Sequence, residues 1–303
     1  MGKIGRGLTL MKASWEILKE DKKIMILPLV SMVLSLAIIV TFFAPLFFLT
    51  GFDLSPEIFR GFRLYIYLFA LYAPLFFVGT FFNTAVVACA DARIKGKRLS
   101  IKGGLKVAYE NWYKILLWAL LAGTVGVLLQ LLRDKLSILG HFVSSLAGIA
   151  WTYATFFIVP VLIFEERNVL DSVKKSGGLF VDTWGETLAG SIGFGIIIFI
   201  LGFAGLLPLL LLTIFGIIGW MIALILGFLY IVLLSAFSSA LNGIFVTALY
   251  HYARNGKLYG PFTLDMIPSP VSSGSYPSRE YGDHSGKEQS SVDLYYSGPS
   301  WRR

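Results

Sequence analysis

The residues able to do chemistry in this chain are few and stand apart. Its apolar stretches carry no Asp, Glu, Lys, Arg or His at their centres. A charge there costs at least about 2.5 to 3.5 kcal/mol and would mark a proton relay or an ion path. The strongest polar groups inside the stretches are Asn83, with Thr84 beside it, and Asn242. Asn83 stands ten residues before Arg93 and Asn242 twelve before Arg254, which puts them at similar depth. Such groups either close an interhelical hydrogen bond worth about 0.6 to 2 kcal/mol or line a polar ligand cavity. His141, His251 and His284 fall at the ends of apolar stretches or beyond them, and no HExxH, GxSxG or phosphate-loop pattern occurs. His251, between Tyr250 and Tyr252, reads as part of an interfacial aromatic belt. Glu165-Glu166 reads as a solvated helix end, with no further acidic ligand near it in sequence. The lone Cys89 rules out an intramolecular disulfide and a clustered-thiolate metal site. The expectation is a protein with no catalytic residues, no metal and no cofactor.

The elements that position these groups are six apolar segments: Ile24 to Thr50, Leu64 to Ala90, Trp112 to Leu132, Phe142 to Phe164, Leu188 to Leu212 and Trp220 to Tyr250. Each is long enough to cross about 30 Å of hydrocarbon as a helix. Of the 303 residues 56% are hydrophobic and 15% charged, against about 45 to 50% and 25% in soluble domains, and mean hydropathy is +0.74. Lipid is therefore the solvent for most of the surface. The net charge of +8 is carried beside the apolar segments, which points to anionic headgroups as partners and away from nucleic acid. The first apolar segment is too long for a signal peptide and lacks an A-x-A-like cleavage site, so it is expected to be retained.

Basic residues crowd alternate connections. Lys3, Arg6, Lys12, Lys19, Lys22 and Lys23 precede the first segment, and Arg93, Lys95, Lys97, Arg98, Lys102 and Lys106 separate the second from the third. Arg167, Lys174 and Lys175 follow the fourth; Arg254 and Lys257 follow the sixth. By charge bias these connections and both termini are cytoplasmic. The uninterrupted apolar run from Leu188 to Tyr250 could hold two spans or three. Charge bias favours two, with a turn at Thr213 to Gly219 and a rival turn at Pro208.

Ahead of each odd-numbered span lies a helical apolar stripe ending at or just after a tryptophan. The stripes are Leu8, Met11, Trp15 and Leu18; Leu105, Ala108, Tyr109 and Trp112; and Val173, Phe180 and Trp184. Each faces away from lysines, as in helices that lie in the headgroup plane. Tryptophans and lysines flank spans in many membrane proteins, but here the order repeats three times. The inward spans also end alike, Ala92-Arg93-Ile94-Lys95-Gly96-Lys97 and Ala253-Arg254-Asn255-Gly256-Lys257. The expected fold is all-α: six transmembrane helices as three hairpins, with amphipathic in-plane helices before spans 1, 3 and 5. Residues 1–23 form the cytoplasmic amphipathic helix, 24–250 the spans, 251–267 a juxtamembrane segment and 268–303 a Ser/Tyr-rich tail expected to be disordered. Headgroup contacts are expected from Trp15, Lys22, Lys23, Arg93, Lys97, Trp112, Lys174, Lys175, Trp184 and Arg254. Stripes such as Gly219, Ala223 and Gly227, or Ser144, Gly148 and Thr152, read as packing faces, and a homo-oligomer is left open.

The stretch Ser176-Gly177-Gly178-Leu179-Phe180-Val181-Asp182-Thr183-Trp184-Gly185-Glu186, with Lys12-Ala13-Ser14-Trp15 and Ala248-Leu249-Tyr250-His251-Tyr252-Ala253, resembles an uncharacterised family of prokaryotic six-helix membrane proteins. In architecture that family is similar to the membrane domain fused to glycerophosphodiester phosphodiesterases, and no phosphodiesterase domain is present here. The expected role is a non-enzymatic membrane scaffold or a handler of lipid or apolar ligand. The competing expectation is a small-solute transporter using Asn83, Thr84 and Asn242. A reporter fused after Lys257 is expected on the cytoplasmic side; an extracytoplasmic signal contradicts the count of six.

Overall fold

The computed structural model describes residues 3–50, 62–135, 138–165, 167–184, 192–263 and 266. The tail expected from 268 onward, the connection 51–61, Glu166 and Ser191 lie outside the described residues. Every regular element among the described residues is helical: α1 (Lys3–Glu20), α2 (Ile26–Thr50), α3 (Phe62–Ile94), α4 (Ile101–Glu110), α5 (Trp112–Lys135), α6 (Ile138–Ala154), α7 (Ile158–Phe164), α8 (Val169–Trp184), α9 (Ile192–Leu206) and α10 (Gly216–Asn255). Short 3-10 turns occupy Lys22–Met25 and Leu207–Phe215. Among the described residues, five stretches are long and apolar enough to cross a membrane: Lys22–Pro45, Phe62–Ile94, Trp112–Asp134, His141–Phe164 and Ile198–Asn255. These are compatible with a multi-pass membrane protein.

The fifth stretch contains a reversal of the chain. Pro208 lies at the start of the 3-10 turn, and Gly216, at φ 69°, ends it. Beyond the turn α10 runs back along α9, with Gly202 facing Leu234 and the Tyr230 hydroxyl donating to the Leu201 carbonyl at 2.7 Å. The two rival turn positions are thus the two ends of a single turn. Proline acts differently elsewhere. Pro45 and Pro74 sit inside continuous helices, whereas Pro160 stands in the first turn of α7, just past the break at Thr155–Phe157. The missing N–H is harmless there, because first-turn donors have no helical partner anyway.

Helix length and burial divide the molecule into two bands. α10 has 40 residues and α3 has 33, about 60 Å and 50 Å at 1.5 Å per residue, far more than 30 Å of hydrocarbon requires. The excess is packed in protein. Along α10 the side chains from Ile217 to Leu233 are mostly exposed and apolar, while Ala240, Leu241 and nearly everything from Gly243 to Tyr252 is buried. In the most apolar part of Ile198–Asn255 only 6% of residues are buried. α3 changes in the same way, becoming continuously buried from Thr84 to Ala92. The core therefore lies at one end of the bundle, in a collar formed by α1, α4, α7, α8 and the ends of α3 and α10.

Small residues on the collar helices allow this close packing. α1 buries Leu10, Ala13, Ser14, Ile17 and Leu18; α4 buries Gly104, Val107 and Ala108; α8 buries Val169, Ser172, Ser176, Leu179 and Phe180. These faces keep Leu18, Ala108 and Phe180 of the stripes read in the sequence but turn away from several of their other members. Leu8, Tyr109 and Trp112 are exposed, and Met11, Trp15 and Leu105 are half-buried at the collar's edge. The reason is steric: Ala, Ser and Gly admit a neighbouring backbone where larger side chains hold it off. Local capping fixes where the helices start and stop. The Ser100 hydroxyl accepts from the Gly103 amide at 3.1 Å, and Asn168 Oδ1 accepts from the Asp171 amide at 2.9 Å. α3 and α10 both stop at a left-handed glycine, Gly96 at φ 73° and Gly256 at φ 66°, which explains the matching Gly-Lys exits. A methyl group on Gly104 would lie 2.7 Å from Cys89 Sγ and 2.9 Å from the Ala85 carbonyl, whereas one on Gly79 meets nothing within 4 Å. Gly104→Ala is therefore expected to cost about 1 to 3 kcal/mol and Gly79→Ala to gain about 0.5 to 1, opposite shifts of thermal unfolding in detergent.

Candidate functional site

Three helix ends meet in the collar, and each brings an ionisable or hydroxyl group that a neighbour completes. Asp91, near the end of α3, is fully buried. Its Oδ1 accepts from His251 Nε2 of α10 at 2.6 Å, and Lys95 Nζ, one turn on, lies 2.9 Å from the same oxygen. Glu165, just past α7, is also buried. It accepts from the Tyr250 hydroxyl at 3.0 Å and from Arg167 Nε at 2.8 Å, while Arg254 Nη1 donates to the Tyr250 oxygen at 3.3 Å. Phe164 joins the two groups: its ring stacks on Tyr250 with centroids 5.7 Å apart, lies 5.9 Å from His251, and has Lys95 Nζ 5.8 Å above it. Tyr259, beyond α10, closes the far side of the histidine at 5.6 Å.

This arrangement corrects two readings of the sequence. His251 is not an interfacial ring but a buried partner of Asp91, and Glu165 is not a solvated helix end. No local spacing could show either, because the partners are 160 and 85 residues away. Arg93, read as a headgroup contact, is turned inward instead. Its guanidinium donates to the Glu20 carbonyl at 2.8 Å, tying the end of α3 to the end of α1. Arg254 is exposed but shares the Tyr250 contact. Lys22, Lys23, Lys97, Lys174 and Trp112 are exposed and Lys175 is half-exposed; Trp184 is the last residue of α8. Trp15 packs edge-on against Phe237 of α10 at 5.3 Å, with Lys19 Nζ 5.3 Å above its ring.

The three residues singled out as ligand candidates are not brought together. Thr84 Oγ1 is buried and has no hydrogen-bond partner among the described residues. Asn83 is half-buried beside α10, its Oδ1 3.5 Å from where a methyl on Gly243 would stand. Asn242 is exposed on another face. There it ends a groove of about 380 Å³ along α9 and α10, lined by Ile231, Leu234, Ser235, Ser238 and Ser239 of α10 and by Ile198 of α9. Neither Asn83 nor Thr84 lines that groove. The serines recur at Ser235, Ser238, Ser239 and Asn242, a helical face that could have been read in the sequence once Asn242 was chosen.

A family model for a family of unknown function, DUF6159, matches residues 62–260, from the start of α3 to just past α10. The chain belongs to that family. The match includes Asp91, Glu165 and His251 and leaves α1 and α2 outside. No curated protein and no solved structure matches the chain. Removing one partner of a buried pair strands the other, at a cost of about 3 to 5 kcal/mol. Asp91→Ala should therefore lower the unfolding temperature sharply, and Asp91→Ala with His251→Leu should cost less than the two changes summed. Additive losses would refute the pairing as the source of stability.

Proposed function

We propose that this chain is a six-span integral protein of the cell membrane, with both termini cytoplasmic, that holds or handles a lipid or another apolar ligand and catalyses nothing. In this reading the crossings are α2, the outward-facing part of α3, α5, α6, α9 and the first half of α10, paired as three hairpins. The collar is the cytoplasmic layer, and α1, α4 and α8 lie at its border with lipid. The architectural likeness to the membrane domain of glycerophosphodiester phosphodiesterases belongs to this reading too. Charge supports the orientation, because Lys22, Lys23, Lys97, Lys102 and Lys174 are exposed at the collar.

The observation that carries the ligand reading is the groove of Asn242. Its lining sets an amide and three hydroxyls beside the aliphatic carbon of Ile198, Ile231 and Leu234, and it lies where α10 passes from exposed to buried. That is the level at which the polar part of an amphiphile meets its chains. The non-enzymatic reading is supported by the collar's buried carboxylates, whose close partners are the cations and hydroxyl that hold the helix ends together. A small-solute transporter is the second reading, favoured by the same four polar side chains. A shared path would need Asn83 and Asn242 to face one space. Mass spectrometry of the protein extracted with its native lipids is expected to show a retained lipid, reduced about fivefold in Asn242→Leu, the effect of one lost hydrogen bond. Lipid-free spectra would leave only the scaffold role.

A further inference from the structure

A second groove, on the other partner of α9 and α10, has a different chemistry. It has a volume of about 440 Å³ and is walled by Leu8, Met11 and Trp15 of α1, with Leu201 of α9 and Phe237 of α10. Thr9 and Lys12 complete the wall. The Lys12 side chain is exposed. Trp15 forms the bridge between the apolar floor and a second cation: one side of the indole meets Phe237 and Lys19 Nζ stands 5.3 Å from its ring. The groove therefore presents a slot for carbon with ammonium groups at its edge.

We infer that this groove binds one acyl chain of an anionic phospholipid, with the headgroup phosphate on Lys12. The inference rests on the membrane placement proposed above and concerns a site separate from the Asn242 groove. Charge complementarity selects the occupant. A second copy of the chain or a protein partner seated on the apolar wall would have to bury the Lys12 ammonium, whereas a phospholipid covers the carbon and pairs the charge at once. Lysine beside tryptophan on an in-plane helix is also suited to the headgroup level, where the stem lies along apolar surface and the ammonium reaches outward. Free phosphate could meet Lys12 but would leave the slot of Leu201 and Phe237 uncovered. The site is built partly from residues outside the family match, since α1 precedes residue 62. Its specificity is therefore a feature of this chain and not of the matched region alone.

The test uses the full-length chain in detergent, titrated with phosphatidylglycerol or phosphatidylcholine, with bound lipids counted by native mass spectrometry. Wild type is expected to prefer phosphatidylglycerol, and Lys12→Glu to lower that preference about fivefold or more, the effect of one basic residue at an anionic surface. Lys12→Arg should keep the preference, and Lys102→Glu on α4 should leave it unchanged. Leu201→Trp, which fills the slot, should reduce retention of both lipids while Asn242→Leu leaves the phosphatidylglycerol preference intact. Inorganic phosphate in excess should not displace the lipid. An unchanged preference in Lys12→Glu overturns this site while leaving the broader lipid reading standing, as does a dimer mass in place of the lipid adduct. Wild type that retains neither lipid overturns both.

Discussion

A carboxylate withdrawn from water must be paired, and the layout of this protein follows from where that pairing is done. Asp91 and Glu165 are buried near the ends of two helices, and both find partners on α10. Since no single helix supplies a complete set, α3, α7 and α10 must converge, and Phe164 fills the space between the two pairs. Convergence in turn exposes the flanks of those helices. Covering them is the work of α1, α4 and α8, whose buried faces mix large apolar side chains with small ones, Gly104 and Gly177 lying close to neighbouring backbones. The buried core of the molecule thus sits at one end, and the mostly outward-facing helices extend from it.

How much of this could be read in the sequence depended on the range of the interaction. Membrane-length apolar segments, basic connections and helix stops are local, and the long apolar helices and the glycine-ended exits at Gly96 and Gly256 were legible from composition and spacing. The extent of each apolar run was legible, but not its surroundings. Ala85 to Ala90 and Ile244 to Leu249 look like lipid-facing sequence and are buried in protein, because apolar residues serve both environments equally well. The collar stripes were displaced for a related reason. Hydrophobicity scales favour Leu8, Tyr109 and Trp112, yet a helix that must touch another backbone turns its Ala, Ser and Gly inward. His251 could not be placed at all without its partner on another helix.

The polar residues at span depth divide into two kinds that the sequence does not separate. Those with long-range partners, such as Tyr250, close the collar. Those without, Thr84 buried and Asn242 exposed, lie on different faces and cannot act on one ligand in this arrangement. Both grooves with polar edges lie along α9 and α10, one beside α1 and the other lined by Ser235, Ser238, Ser239 and Asn242. The most apolar part of that last pair is also the least buried of the candidate spans among the described residues.

That last pair has an unusual passage into the bilayer. From Leu188 to Tyr250 the chain contains no Asp, Glu, Lys, Arg or His, and the turn at Leu207–Phe215 offers only Thr213 as a polar side chain. In the six-span arrangement this turn reaches the far leaflet without any formal charge moving through the electric field. The membrane potential, worth about 2.3 kcal/mol per charge at 100 mV, then does no work on its insertion. In that arrangement hydrophobicity is the driving force for placing this segment, and no charge on it is left for the field to move.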